Sequence, residues 1–341
     1  MEDFIKYINI NNFKSIANLE LKDCKRINLF IGYPNVGKSN VLEALSLFSL
    51  PYLDEGENIN KIIRVENKYE LLHDLSNTFC GIETNLEKID LSVSSSVLEI
   101  YRMASNGEVG YDFSKNLDLL DRKIECYDCN QDEYCVDGGH VMRYIFQSKN
   151  KWEVTEVQIL NPPFGENIVD VLLNNPNMSD VNLWIKQELA KSGLEYLLDM
   201  VSSSIKVQQR LNDNKIKQLP YSLIADTLQR VIFYKTAIAS NRNSVLLFEE
   251  PEAHAFPPYI KNITQDIIDA KTNQFFIVTH SPFIVNDFLE YADLRKEVAI
   301  YLFDFQNEQT TVKRLSDKEI DEVYNYGIDL FFNIESFLRD E

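Results

Sequence analysis

An α/β fold with a mixed sheet, built as two lobes, follows from three features of this sequence. The segment Ile31 to Leu45, "IGYPNVGKSNVLEAL", sets a loop bearing glycine, proline and asparagine between a run of β-formers and an amphipathic helix. Late in the chain, "SVLLF", a helical stretch and "QFFIV" follow one another, the order that a parallel sheet with crossover connections requires. At the N-terminus, "YININNFKSI" and "ANLELKD" alternate apolar and polar side chains, as half-buried strands of a hairpin do.

The elements follow in order. The continuous apolar run "RINLFIG" predicts a buried strand that delivers the chain into the quoted loop. "SNVLEALSLFSL" places Val41, Leu42, Leu45 and Phe48 on one helical face, and Pro51 ends it. Between about 90 and 160, "SSSVLEIYRM", "RKIECYDC", "HVMRYIFQ" and "WEVTEVQIL" read as strands, with "SKNK" as a hairpin turn that leaves Lys149 and Lys151 solvated. "NPPF" at Asn161 marks a break. Ser179 to about Gln209 reads as helical, with Ser179 or Asp180 as N-cap, and polar "RLNDNKIKQ" reads as a loop. After Pro220, "YSLIADTLQRVIFYKTAIAS" reads as a long apolar helix. The tail adds strands in "VAIYLFDFQ" and "TTVKRL" before a helix rich in Asp and Glu. The expected organisation is an N-terminal lobe at 1–160, a helical insertion and linker at 161–215, and a C-terminal lobe at 216–341.

The 341 residues are 45% hydrophobic and 26% charged, enough for a sizeable core. No apolar run approaches the roughly 20 residues of a bilayer-spanning helix, and "MEDFIKYINI" lacks the pattern of a secretory signal. The five cysteines are an odd number and thinly spread, which fits a reducing compartment. A cytoplasmic chain with no membrane association is expected. The net charge of −19 predicts weak direct nucleic-acid binding and favours a protein or nucleotide partner.

Gly32 to Ser39 matches G-x-x-x-x-G-K-[ST] between a strand and a helix, the context in which such a loop cradles phosphates. Backbone N–H groups of Asn35, Val36, Gly37, Lys38 and Ser39, at a positive helix terminus, suit a β-phosphate, and Asn40 follows in the same turn. Lys38 supplies the counter-charge for the β- and γ-phosphates, and the Ser39 hydroxyl suits Mg²⁺. "SVLLFEEPEAH" brings Glu249 and Glu250 to the carboxyl end of a buried strand, where α/β proteins bind ligands. Adjacent strand residues point opposite ways, so Glu249 can face the metal while Glu250 orients the attacking water. "FFIVTHSPFIV" brings His280 to the end of the next strand, placed to donate to a γ-phosphate.

These segments together resemble the ABC-type P-loop ATPase heads of the RecF, SMC and OLD (overcoming-lysogenisation-defect) class. The likeness covers "ININNFKSI", "LLFEEPEAHAFPP" and "VTHSPFIVN", and leaves the middle of the chain unassigned. It implies a two-lobed head with a mixed sheet and helical insertion, ATP and Mg²⁺ as cofactors, and ATP hydrolysis. It also implies a metal-binding Glu249, a water-polarising Glu250 and a γ-phosphate-sensing His280. Lys14 in "NNFKS" matches a basic position near the nucleotide in relatives. Assembly of at least a dimer across ATP is implied, and a separate effector, a nuclease in bacterial phage defence. A nucleotide-gated scaffold with little turnover and a RecF-like DNA-repair ATPase are the alternatives.

The chain departs from the class in places. Tyr33, Pro34 and Val36 replace usual loop residues, and His254-Ala255-Phe256-Pro257 stands where relatives read H-L-H-P. The signature turn before the helix carries Ala225 and Thr227 where glycines are common. Ser222 and Thr227 are therefore either trans contacts to a neighbour's γ-phosphate or parts of a structural helix. Gln147 and Gln158 both remain candidates for the Q-loop glutamine. Cys126, Cys129, Cys135 and His140 are either structural or a small zinc site. Nothing after His280 reads as an acidic nuclease domain.

Overall fold

The computed structural model describes residues 4–53, 59–94, 97–104, 109–116, 140–149, 152–153, 155, 157–199, 202, 204–211 and 215–339. In chain order the strands and helices begin with β1 (Ile8–Phe13), β2 (Ile16–Leu21), β3 (Ile27–Gly32) and α1 (Lys38–Ser46). β4 (Phe79–Thr84), β5 (Glu87–Val93), β6 (Val97–Ala104), β7 (Val109–Asn116) and β8 (Val141–Tyr144) follow. Next come α2 (Ile168–Asn174), α3 (Ser179–Ala190), β9 (Leu194–Asp199), β10 (Ser204–Arg210), β11 (Ile216–Pro220) and α4 (Asp226–Ser240). The last third holds β12 (Val245–Glu249), α5 (Pro257–Asp269), β13 (Gln274–Val278), α6 (Pro282–Leu289) and α7 (Ala292–Arg295). It closes with β14 (Val298–Gln306), β15 (Gln309–Arg314), α8 (Asp317–Tyr326) and α9 (Leu330–Leu338).

The chain forms two compact units. The first comprises Met1–Arg143, Asn243–Glu250 and Gln274–Glu341; the second comprises Tyr144–Arg242 and Pro251–Asn273. The first unit is discontinuous in sequence. The cause is hydrogen bonding: β12 and β13 return to β3, so residues far apart in sequence share one sheet.

That sheet has the order β15-β14-β3-β13-β12-β8. β3 pairs in parallel with both β13 and β14, and β12 pairs in parallel with β13. All six residues of β3 are buried, as its continuous apolar run requires. Phe30 meets Phe276, Tyr301 and Phe303 in tilted and edge-on ring contacts at centroid distances of 5.1 to 5.9 Å. A second sheet, β2-β1-β4-β5-β6-β7, is antiparallel throughout, and the expected N-terminal hairpin is its β1–β2 pair. The parallel register places the ends of β3, β12, β13 and β14 in one row: Glu249 lies beside Val278, Val278 beside Phe30, and Gly32 beside Phe303.

The second unit packs α2, α3 and α5 against α4 and adds the antiparallel sheet β11-β10-β9. This corrects the helical reading of Ser179 to Gln209. The helix ends at Ala190, Gly193 takes a left-handed φ of 69°, and β9 and β10 pair from Asp199–Ser204 to Leu194–Gln209. Leu194, Leu197 and Leu198 fit a helical period, but buried Ile205 and Val207 supply a strand of period two for β9 to join. Part of the "RLNDNKIKQ" loop likewise belongs to strands, since Arg210 ends β10 and Ile216, Lys217 and Gln218 lie in β11. A second correction concerns "WEVTEVQIL", which forms no strand among the described residues. Its backbone is satisfied elsewhere: Glu153 N donates to the Glu166 carbonyl at 2.8 Å and Thr155 N to Asp170 Oδ2 at 2.7 Å. No helix among the described residues is long and apolar enough to cross a membrane.

Candidate functional site

The loop between β3 and α1 is shaped by backbone that few residues tolerate. Asn35 adopts φ 64° and Gly37 φ 98°, both left-handed. A Cβ on Gly32 would come within 2.6 Å of the Phe303 carbonyl, and one on Gly37 within 2.0 Å of Thr310 Oγ1. The loop is thus pressed onto β14 and β15, and Gly37 caps α1 with no side chain bonded to the helix's first amides. Tyr33, Pro34 and Asn35 of the loop are exposed, and free amides at a helix N-terminus suit an anion. Val36 is buried. Asn40 donates to Ser15 Oγ at 2.7 Å, and Ser15 shares a 2.6 Å hydrogen bond with Thr310, so Asn40 anchors α1 to the β1–β2 turn.

Lys38 is 5% exposed and donates to the carbonyls of Gly32 and Tyr33 at 2.8 and 2.7 Å. Burial pulls its pKa down to about 8, against the opposing pull of Glu250 and Glu249. The Ser39 hydroxyl donates to Glu249 Oε1 at 2.5 Å. Burial would raise the Glu249 carboxyl, but Arg143, the Ser39 hydroxyl and Arg64 outweigh it and hold the group below the usual carboxylate range. Glu250 has φ 46° and turns out of the strand, its amide on the Val278 carbonyl at 2.8 Å. Its Oε1 lies 3.5 Å from His280 Nε2. Burial, then the Lys38 charge, lowers the His280 pKa against the pull of Glu250, which favours the neutral ring. Five side chains foreseen from sequence, Lys38, Ser39, Glu249, Glu250 and His280, therefore converge where β3, β12 and β13 end.

Three charged residues at this site escaped the sequence reading. Glu43, on α1 and 1% exposed, accepts from Arg64 Nε at 2.6 Å and from Lys14 Nζ. Lys14 Nζ also donates to the Arg64 carbonyl at 2.6 Å, so the basic residue expected near the nucleotide is tied to α1. Arg64 Nη2 lies 3.3 Å from Glu249 Oε1, and Arg143 Nη2 lies 2.5 Å from Oε2. The one available signal was Glu43 itself, an acid inside the apolar-periodic "VLEAL".

Ser222, Thr227, Gln147 and Gln158 lie in the second unit. Ser222 sits in a single 3-10 turn, and Thr227 Oγ1, in the first turn of α4, donates to the His254 carbonyl at 2.7 Å. Gln147 and Gln158 are exposed. Cys126, Cys129 and Cys135 lie outside the described residues; His140 is described, and its carbonyl accepts from Val245 N at 2.6 Å. Cys24 and Cys80 are free thiols in the first unit, pushed up to about 12 by burial.

A family model described as "AAA domain, putative AbiEii toxin, Type IV TA system" matches residues 172–286. The chain is 30% identical over 66 residues to the DNA replication and repair protein RecF of Caldanaerobacter subterraneus, covering 19% of this chain and 18% of the relative. It is 22% identical to RecF of Bacillus mycoides over 72% of each chain, and 22% identical to an ATP/GTP phosphatase of Helicobacter pylori over 85% of this chain and 87% of that one. In fold it is similar to an SMC head crystallised with the C-terminal winged-helix domain of ScpA. That match has a TM-score of 0.51 at 13% identity and covers 93% of this chain and 99% of that chain.

Proposed function

We propose that this chain, which resembles the ATPase heads of the RecF and SMC type, binds and hydrolyses ATP with Mg²⁺, assembles around the nucleotide and thereby controls a separate effector. The observation that carries this is the meeting of Lys38, Ser39, Glu249, Glu250 and His280 at the carboxyl ends of adjacent parallel strands. The amides of Asn35 to Ser39 receive the β-phosphate. Lys38 exchanges two carbonyls for phosphate oxygens, and an anion there restores its full charge. Glu250, on the open side of the site, accepts a proton from the attacking water as the bond from the γ-phosphorus to the bridging oxygen breaks. Neutral His280 donates to the γ-phosphate as its charge develops.

The residues present fit a magnesium ion. Ser39 and Glu249 place a hydroxyl and an ionised carboxylate 2.5 Å apart, and such hard oxygen donors suit Mg²⁺ completed by phosphate and water. When bound, the ion neutralises phosphate charge. The matched family's description joins an AAA domain to a putative toxin of a toxin–antitoxin system, which supports a role for this ATPase in such a system. That the effector is a nuclease acting in phage defence rests on the resemblance of the motif segments to OLD-type heads. Assembly places Ser222 and Thr227 against a second copy's nucleotide.

One observation favours the nucleotide-gated scaffold as second reading: the Thr227 hydroxyl is already donated to His254. Titration with labelled ATP, wild type against Lys38→Ala, tests the nucleotide site, and equal affinities would remove it. Phosphate release by the chain copurified with its partner separates ATPase from scaffold. Turnover no faster than that of Glu250→Gln favours the scaffold.

A further inference from the structure

Glu249 is held by more than the proposed site requires, and its two oxygens are held differently. Oε1 takes the Ser39 hydroxyl at 2.5 Å and lies 3.3 Å from Arg64, whose side chain is 68% exposed and anchored on Glu43. Arg64 can leave Oε1 without burying a charge. Oε2 takes Arg143 Nη2 at 2.5 Å, and Arg143 is 2% exposed on β8, the strand beside β12. Arg143 cannot leave. Its Nη1 donates to Ser46 Oγ at 3.1 Å, and its backbone N–H donates to Ser49 Oγ at 3.2 Å. Its Nε has no hydrogen-bond partner.

α1 therefore grips Glu249 from both ends. Ser39, in its first turn, takes one oxygen, and Ser46, in its last, holds the guanidinium that takes the other. A glutamate has one more rotor than an aspartate, so at the end of a strand it needs such a grip to present one oxygen in a fixed place. With Oε2 pinned by buried Arg143, Oε1 is the oxygen held beside the Ser39 hydroxyl.

Resting on the ATP–Mg²⁺ reading above, we propose that Arg143 is the positioning residue for Glu249. By fixing Oε2 it turns Oε1 toward Ser39 and so pre-forms the metal half of the nucleotide site. A guanidinium so near a metal also repels it. The positioning effect is the larger here, because a carboxylate freed inside the sheet would turn away from Ser39 toward whatever donor or water it could find.

The test uses the full chain with Arg143→Met, Arg143→Lys and the double variant Arg143→Met/Glu249→Gln. With a fluorescent ATP analogue in EDTA, Arg143→Met should bind as wild type does, since Lys38 and the loop are untouched. Failure of the wild type to bind there would count against the nucleotide reading and not against this one. Titrating Mg²⁺ at fixed analogue should show half-saturation raised at least tenfold in Arg143→Met and by less in Arg143→Lys. Mn²⁺ followed by electron paramagnetic resonance gives the same comparison without turnover. The double variant should melt above Arg143→Met, because the buried charge left behind is removed. Unchanged or lowered half-saturation in Arg143→Met would overturn the proposal, making Arg143 a packing residue or a competitor for the acid. If Arg143→Met does not fold, Arg143→Lys decides by the same Mg²⁺ titration, with a value equal to wild type refuting it.

Discussion

Replacing Lys38 with methionine should disarm the site and, without nucleotide, stabilise the protein. The ammonium is buried against two carbonyls, and its pKa lies near 8 instead of 10.5. That depression, at about 1.4 kcal/mol for each tenfold change in proton affinity, bounds the penalty of keeping the charge at pH 7 at about 3.5 kcal/mol. Methionine removes the charge but leaves the Gly32 and Tyr33 carbonyls without their donor, at up to about 1 kcal/mol each. Because the loop's mouth is open, water recovers part of that loss, and a net gain of about 1–2 kcal/mol remains. The sign with pH follows from linkage. Between about pH 8 and 10.5 the unfolded lysine holds more proton than the folded one, so wild-type stability rises with pH there. The advantage of Lys38→Met is full below about pH 8 and vanishes toward pH 10.5.

Chemical denaturation of both proteins near pH 7 and near pH 9.5, with and without ATP, measures this. Wild type with nucleotide at 100 times its dissociation constant gains about 2.7 kcal/mol, while the variant gains nothing, so ATP should reverse the order of stabilities. A variant less stable than wild type at pH 7, or a gap independent of pH, would refute the account of Lys38 as a desolvated charge awaiting an anion.

Three further outcomes are expected. Glu250→Gln should bind ATP normally, turn over roughly 10²–10⁴ times more slowly, and accumulate an ATP-bound assembly visible by sedimentation; unaltered phosphate release would remove Glu250 as the base. Gly37→Ala puts a Cβ 2.0 Å from Thr310 Oγ1 at φ 98°, so the loop must move at a strain of about 1–3 kcal/mol, and both melting temperature and ATP affinity should fall together. Ser222→Ala with Thr227→Ala should weaken ATP-dependent association while leaving ATP binding by the monomer unchanged, and equal sedimentation of wild type and variant with ATP would place the assembly surface elsewhere.

What the sequence discloses follows the physics of each segment. β3, α1, β12 and β13 were legible because strong periodic runs stop abruptly at residues that carry chemistry. Gly32, Glu249 and Thr279–His280 each stand where a buried strand meets the row of strand ends. The β9–β11 sheet was not, since Leu194 to Asp199 satisfies either period and only pairing with β10 decides it. The charges behind the site were not legible either. Glu43 meets Arg64 across 21 positions and Glu249 meets Arg143 across 106, and no local pattern encodes such partners. Glu43 is buried on α1, and only its place among the apolar residues of "VLEAL" marks it.

The same buried charges resolve a tension in the composition. A chain of net charge −19 is a poor partner for an extended polyanion, yet this one is proposed to bind a compact one. Exposed charges farther than about 8 Å are largely screened at physiological salt, so a triphosphate responds to its immediate surroundings. Those surroundings gather Lys14, Lys38, Arg64 and Arg143 against Glu43, Glu249 and Glu250. The cations are not equivalent. Glu43 holds Lys14 and Arg64, and Glu249 holds Arg143, so these three are largely neutralised before any ligand arrives. Lys38 is held by carbonyl oxygens, which solvate its charge without cancelling it. Among the described residues the incoming phosphate therefore meets one poorly compensated cation, Lys38, at the glycine loop, whereas a duplex, which must lie across the outer surface, meets the net negative charge of the chain.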